Sequence, residues 1–404
     1  MSFEKARAVA DAVLLEGYVL YPYRASAVKN RYRWAFGVLA PPAWCATEGE
    51  PSRARMECLL EGEPDAIRVR GILRFLQVEA RRVERYVGGG LREAESLEVG
   101  GVLHLPWEEG SLREVDFEPG GPRPFRLAGG NEIEWLREQG ELRGRVLRAW
   151  SEVSGEVRAT VEQLGPRLSR LRVEVENLSE ARPASRPEAM RHSLVSTHLL
   201  LAAEGGTFLS LLDPPAWAAE AAKGCANQGL FPVLAGEPGT GDLLLAAPFV
   251  LYDHPAIAPE SPVDFSDATE IDELLVLRTG NLTEEEKREA RATDPHAARI
   301  VDRVDGLRPE ERERLHGAIR ALRPASGAAI RPGMRVRIRA PSRRTDAQDA
   351  LYAGCVATVE KVMEDVTGEH FLAVTLDDDP AAELHRSFGR FHYYRLDEVE
   401  PISP

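Results

Sequence analysis

The densest set of chemistry-bearing side chains in this sequence lies between residues 252 and 273. Asp253, His254, Glu260, Asp264, Asp267, Glu270, Asp272 and Glu273 fall there, with prolines at 255, 259 and 262. Carboxylates beside an imidazole are the donor set of a divalent-metal site. The spacing is neither the paired histidines of a helical zinc motif nor the stepped ligands of a calcium loop. The prolines make the stretch an extended, stiff loop. Its Asp and Glu residues can equally cap turns and helix starts. A third reading is a surface that docks a partner, since a stiff loop loses little entropy on binding. Asp253, His254, Glu260, Asp264, Glu270 and Asp272 are the candidate binding residues.

Other chemistry is sparser. Cys225, in Gly224-Cys225-Ala226-Asn227, follows a helical stretch and is the candidate thiol; His198 or His254 would have to serve as its base. The alternative is a buried structural cysteine. His192 and His198 are six apart on a strand-like run and would face one side. His385 and His392 flank Phe388 and Phe391, which suits aromatic packing. Gly236-Glu237-Pro238-Gly239-Thr240-Gly241 lacks the Lys-Ser/Thr and the helix of a phosphate loop. Gly88-Gly89-Gly90 lacks the surrounding βαβ unit of a dinucleotide site. No G-x-S-x-G elbow occurs. No cofactor is expected.

The elements that must hold these residues read as mainly β, in an α+β arrangement. The chain has 404 residues and a net charge of −14. That length suggests two or three domains. The charge favours solubility and disfavours binding to a phosphate backbone. Arg331, Arg335, Arg337, Arg339, Arg343 and Arg344 form one basic stretch, with acidic residues close behind it. It reads as a solvated strand face, with a nucleic-acid-binding barrel as the alternative. Cys45, Cys58, Cys225 and Cys355 match no zinc framework, and so few cysteines fit a reducing compartment, hence the cytoplasm. No signal peptide and no membrane-spanning run is read.

Four segments are expected. Residues 1–138 form an N-terminal α+β domain: a helix over 4–16, a β-prone run 18–23, and strands at 32–39, 55–60 and 67–86. Residues 139–282 form a β-sandwich-like domain. Its strands lie at 142–150, 156–164 and 168–177, with a hairpin around Glu204-Gly205-Gly206 and strands at 242–252 and 273–278. Residues 283–329 form a helical bridge and linker, with a capping box at Thr283 and Glu286 and helices at 283–293 and 309–322. Residues 330–404 form a small barrel whose short strands resemble SH3-like barrels.

Several stretches together resemble a known family. They are Glu16-Gly17-Tyr18-Val19-Leu20-Tyr21-Pro22-Tyr23-Arg24, Arg33-Trp34-Ala35-Phe36-Gly37-Val38-Leu39, the loop from Leu251 to Leu277 around Ala258-Pro259-Glu260-Ser261-Pro262, and the closing run from Val374-Thr375-Leu376-Asp377 through Gly389-Arg390-Phe391 to Asp397-Glu398-Val399-Glu400. This wording resembles a bacterial family encoded beside high-affinity, actinobacterial-type NiFe hydrogenases. That family brings no catalytic residues to carry over. The resemblance implies a non-enzymatic accessory or assembly role through protein–protein contacts, with hydrogenase subunits or maturation factors as partners. A metal-handling protein or enzyme using 253–273 is the alternative.

Overall fold

A computed structural model describes residues 3–256, 272–308, 323–324, 330–339, 352, 354–364, 370–379, 382 and 391–402. Its contacts divide the chain into two units, Met1–Asp305 and Gly306–Pro404.

The first unit opens with α1 (Glu4–Leu15) and α2 (Pro42–Glu48). Then come β1 (Arg53–Gly62), β2 (Arg68–Val87), β3 (Gly90–Glu93), β4 (Leu97–Val99), β5 (Val102–His104), β6 (Trp107–Phe117), β7 (Arg123–Leu127) and β8 (Gly130–Glu138). Next are β9 (Glu141–Trp150), β10 (Val153–Gly165), β11 (Leu168–Asn177), α3 (Arg186–Met190), β12 (Val195–Glu204) and β13 (Gly206–Leu209). The unit closes with α4 (Ala219–Lys223), β14 (Phe231–Ala235), β15 (Leu243–Ala247), α5 (Asp272–Gly280), α6 (Glu284–Thr293) and α7 (Pro295–Asp305).

Two antiparallel sheets face each other. One runs β13-β1-β11-β10-β7; the other runs β14-β15-β12-β2-β9-β8, with β3 and β6 also on β2. Period-2 alternation builds the core between them. Leu171, Val173 and Val175 of β11 point inward with Met56, Cys58 and Leu60 of β1, against Leu73, Phe75, Leu199 and Leu201 of the facing sheet. Full burial of each such side chain stabilises by about 1.5–3 kcal/mol. Leu199–Ala203 of β12 form a continuous apolar run because this part of the strand is covered on both faces. Leu199, Leu201 and Ala203 face the sandwich core, whereas Leu200 and Ala202 face Ala6, Ala10 and Val13 of α1. The mainly β, α+β expectation therefore holds.

Strand β2 spans two regions. Arg68–Leu76 pair with β12 and Glu79–Arg85 with β9, while β6 covers Gly71–Arg81. Since β6 overlaps both, β12 and β9 share the opposite edge of β2. The β8–β9 end leaves the sandwich and forms its own small cluster of Val83, Leu97, Val99, Leu136 and Val146.

Several expectations change. The boundary at residue 138 runs through a sheet, because β2 pairs with both β9 and β12. The signal around Gly205 is no hairpin: β12 and β13 belong to different sheets, and the chain crosses between them there. Gly205 has φ +72°, and a Cβ would lie 2.3 Å from the Ala66 carbonyl oxygen. Residues 18–23 are turns, and of 32–39 only Leu39 makes a bridge, to Leu194. Residues 273–278 lie in α5, where Leu275 and Thr279 are buried at helical spacing. The capping box at Thr283 is present, and α7 adds a buried stripe of Ala297, Ile300, Val301 and Val304. These two helices pack within the first unit rather than bridging: Arg81 donates to the Ala292 carbonyl at 3.0 Å. The helix expected at 309–322 lies outside the described residues.

The second unit contains β16 (Arg323–Pro324), β17 (Arg335–Ile338), β18 (Val356–Glu364), β19 (His370–Leu376), β20 (His392–Arg395) and β21 (Val399–Pro401). Their order is β20-β19-β18-β17-β21, with β16 on β18. Val336, Ile338, Val359, Leu372, Val374 and Val399 form their shared core. A single 3₁₀ turn, Leu396–Glu398, precedes the last strand.

Candidate interaction surface

The segment after β15 alternates as a strand does. Phe249 and Leu251 pack inward with the cluster beneath α1, and Phe249 meets Phe36 edge-to-face at 5.6 Å. Val250 and Tyr252 therefore point out, 68% and 87% exposed. Asp253 and His254 pin the segment to β14, the end strand of its sheet. The Leu234 N–H donates to Asp253 Oδ1 at 2.8 Å, and the His254 N–H donates to the Leu234 carbonyl at 2.7 Å. The Ser210 hydroxyl donates to Asp253 Oδ2 and accepts from the N–H groups of Leu212 and Asp213 at 3.1 and 2.9 Å. Leu212, also exposed, thus lies close to the same clamp. Pro232 gives β14 no N–H to offer. Asp253 and His254 close an edge that would otherwise recruit another strand.

This geometry bears on the metal, docking and thiol readings of the sequence. Both carboxylate oxygens of Asp253 are held by donors of the chain itself. His254 has φ +53°, and its Nδ1 is buried with no partner among the described residues. Asp272 opens α5, while Glu260, Asp264 and Glu270 lie outside the described residues. Among the described residues no three of His, Cys, Asp and Glu gather to hold a metal ion.

Cys225 is half-buried, and burial pushes its thiol up despite the opposing Arg170 guanidinium. A raised thiol holds less thiolate, the opposite of nucleophilic activation. His198 offers no free base. It is fully buried, and burial pushes its pKa down to about 3. Its Nε2 lies 3.3 Å from Arg74 Nη1, and its Nδ1 lies 2.8 Å from the Ser196 carbonyl oxygen. Arginine can only donate, so Nε2 accepts and Nδ1 carries the proton. Arg74 is held in turn by Asp11 at 2.6 Å and Glu114 at 2.8 Å. His192 and His198 do not share a strand face: His192 precedes β12, and a bulge between Val195 and His198, with Ser196 at φ +53°, breaks the alternation. His392 packs on the Tyr352 ring at 4.9 Å, whereas His385 and Phe388 lie outside the described residues. Arg335 pairs with Asp377 at 2.7 Å and Arg337 donates to the Gly354 carbonyl at 3.0 Å, whereas Arg343 and Arg344 lie outside the described residues.

One constellation has no sequence signal. Arg33 is buried between the rings of Trp34 and Trp107, 4.1 and 3.6 Å from their centroids. It donates to the Tyr18 carbonyl at 3.2 Å and to the Glu108 carbonyl. Burial pushes its pKa down to about 10. The Tyr18 hydroxyl donates to Asp294 at 2.7 Å and accepts from the Gly110 N–H at 3.1 Å. This cluster fastens residues 17–34 and the α6–α7 junction onto β6. Its members come from distant parts of the chain, so no local spacing could reveal them.

No family model matches the chain, and no curated protein matches it. Among the described residues no helix is long and apolar enough to cross a membrane.

Proposed function

We propose that this protein is a non-catalytic accessory or assembly factor that acts by protein–protein contact in the making or support of a NiFe hydrogenase. The observation that carries the contact role is the outward pair Val250 and Tyr252 on a backbone fixed by Asp253. A tyrosine on a held backbone offers a large amphipathic surface whose main chain loses little conformational freedom on docking. The hydrogenase context rests on the resemblance of residues 16–24, 33–39, 251–277 and 374–400. The order of the second unit's strands, with a 3₁₀ turn before the last, supports the SH3-like reading of that module. Four unpaired cysteines support a cytoplasmic setting.

The test is affinity capture of the tagged chain from its native host under conditions that induce the hydrogenase. Hydrogenase subunits should be recovered with the wild type. Recovery should fall at least tenfold with the Val250→Ser/Tyr252→Ser double variant, whose melting should match the wild type. No recovery with the wild type, together with normal hydrogenase activity in a deletion strain, overturns the proposal.

A further inference from the structure

Every open sheet offers unpaired N–H and C=O groups along its end strands, and proteins guard them. In the first unit, β14 is closed by Pro232, Asp253 and His254. β7 contains Pro124 between Arg123 and Arg126, and β13 and β3 have only four residues each. The outer side of β6 is occupied at Glu108 and Gly110 by Arg33 and Tyr18.

β8 differs. It has nine residues, contains neither proline nor lysine, and pairs only with β9. Ile133 and Trp135 share one face and are 39% and 51% exposed. Glu132 and Glu134 share the other with Leu136, which is anchored in the small cluster of Val83, Leu97, Val99 and Val146. Among the described residues nothing hydrogen-bonds the outward backbone of Asn131–Trp135. Register is regular up to the shift at Leu136/Arg137.

We infer that β8 is a docking edge for a partner protein's extended segment in which Lys or Arg alternates with apolar residues. Such a segment would add as an antiparallel or parallel strand, its backbone completing the outward hydrogen bonds of β8. Its apolar side chains would meet Ile133 and Trp135, and its cations would meet Glu132 and Glu134. Arg148 holds Glu134 at 3.2 Å, whereas Glu132 has no ion-pair partner among the described residues. The chain's net charge of −14 draws a basic segment in. The same carboxylates argue against a second copy. Edge-to-edge pairing about a two-fold axis sets same-face residues opposite each other, so Glu132 and Glu134 would face glutamates in the registers centred on them, and like charges so placed repel. The inference stands on this edge alone and does not depend on the Val250–Tyr252 surface.

The probe is a short synthetic peptide alternating lysine and valine, compared with a peptide of the same composition arranged in two blocks. Saturable binding of the alternating peptide is expected, with slowed amide exchange confined to residues 130–138 of the full chain. Glu132→Lys and Ile133→Lys should each weaken binding at least tenfold while leaving the melting curve unchanged. Equal binding of the block peptide, unchanged exchange over β8, no binding, or indifference to both substitutions overturns the inference. A concentration-dependent dimer in sedimentation that Ile133→Lys abolishes would instead assign the edge to a second copy.

Discussion

Replacing Asp253 with alanine removes both carboxylate anchors of the 248–254 segment and leaves the His254 N–H bond to the Leu234 carbonyl and the two-sheet core intact. The Leu234 N–H loses a charged acceptor at 2.8 Å, and the Ser210 hydroxyl loses its carboxylate partner. Hydrogen bonds to charged groups contribute about 1.5–3 kcal/mol, and Leu234 is only partly buried, so water recovers some of that. Taking the lower end for Leu234 and about 1 kcal/mol for Ser210, the segment loses about 2.5 kcal/mol against local opening. At 1.36 kcal/mol per tenfold, that makes opening roughly 70-fold more frequent. Amide hydrogen exchange at His254 reads this directly, since its bond to the Leu234 carbonyl survives the substitution and breaks only when the segment opens. Melting should fall by only a few degrees, because a loss of this size is small against the unfolding entropy of so long a chain. Asp253→Asn keeps a carbonyl acceptor for Leu234 and should fall between wild type and alanine. Unchanged exchange in Asp253→Ala would refute the clamp, as would an asparagine variant as damaged as the alanine one.

Two further outcomes concern a buried histidine and a crowded glycine. His198 is held neutral with a pKa of about 3. An unfolded histidine titrates near ~6.5, so below that pH the unfolded chain takes up a proton that the native chain refuses. Stability should therefore be unaffected by this group above pH ~6.5 and fall by up to about 1.4 kcal/mol per unit as pH drops toward 3. His198→Gln removes that proton, so in urea unfolding its stability deficit relative to wild type should shrink by about 2 kcal/mol between pH 7 and pH 5; parallel pH profiles would contradict this. Gly205→Ala should lower stability by more than about 2 kcal/mol in urea unfolding, from strain plus contact with Ala66. Gly88→Ala, at φ +60° with open space around it, should cost only the strain. Equal effects would mean that the crossing at Gly205 is not tightly packed.

Local patterns are readable wherever local forces decide. Leu171, Val173 and Val175 alternate because β11 has one wet face, and the Thr283–Glu286 box marks α6 because a cap needs only four neighbouring residues. Legibility ends where partners are remote. The Gly205-Gly206 turn looks like a hairpin because the signal is local, but β12 and β13 are claimed by β2 and β1. Arg33–Leu39 alternates like a strand, yet Arg33 is captured by Trp34 and by Trp107 from β6. Leu274-Leu275-Val276-Leu277 carries no periodicity that separates strand from helix; the buried positions of α5 do. The acidic character of 253–273 is plain, but the part played by Asp253 depends on β14 being an end strand, which only the sheet order reveals.

The edge of β2 shared by β12 and β9 bears on how the chain is made. Arg68–Leu76 leave the ribosome about 120 residues before the strand that will cover them, which at ~5–20 residues per second means roughly 6–24 s of waiting. During that interval Leu73 and Phe75 have neither β12 beside them nor β15 beyond it. Newborn copies are therefore most vulnerable to aggregation before residue 204 appears, and slow translation or a missing chaperone would reduce yield even where the finished molecule is stable.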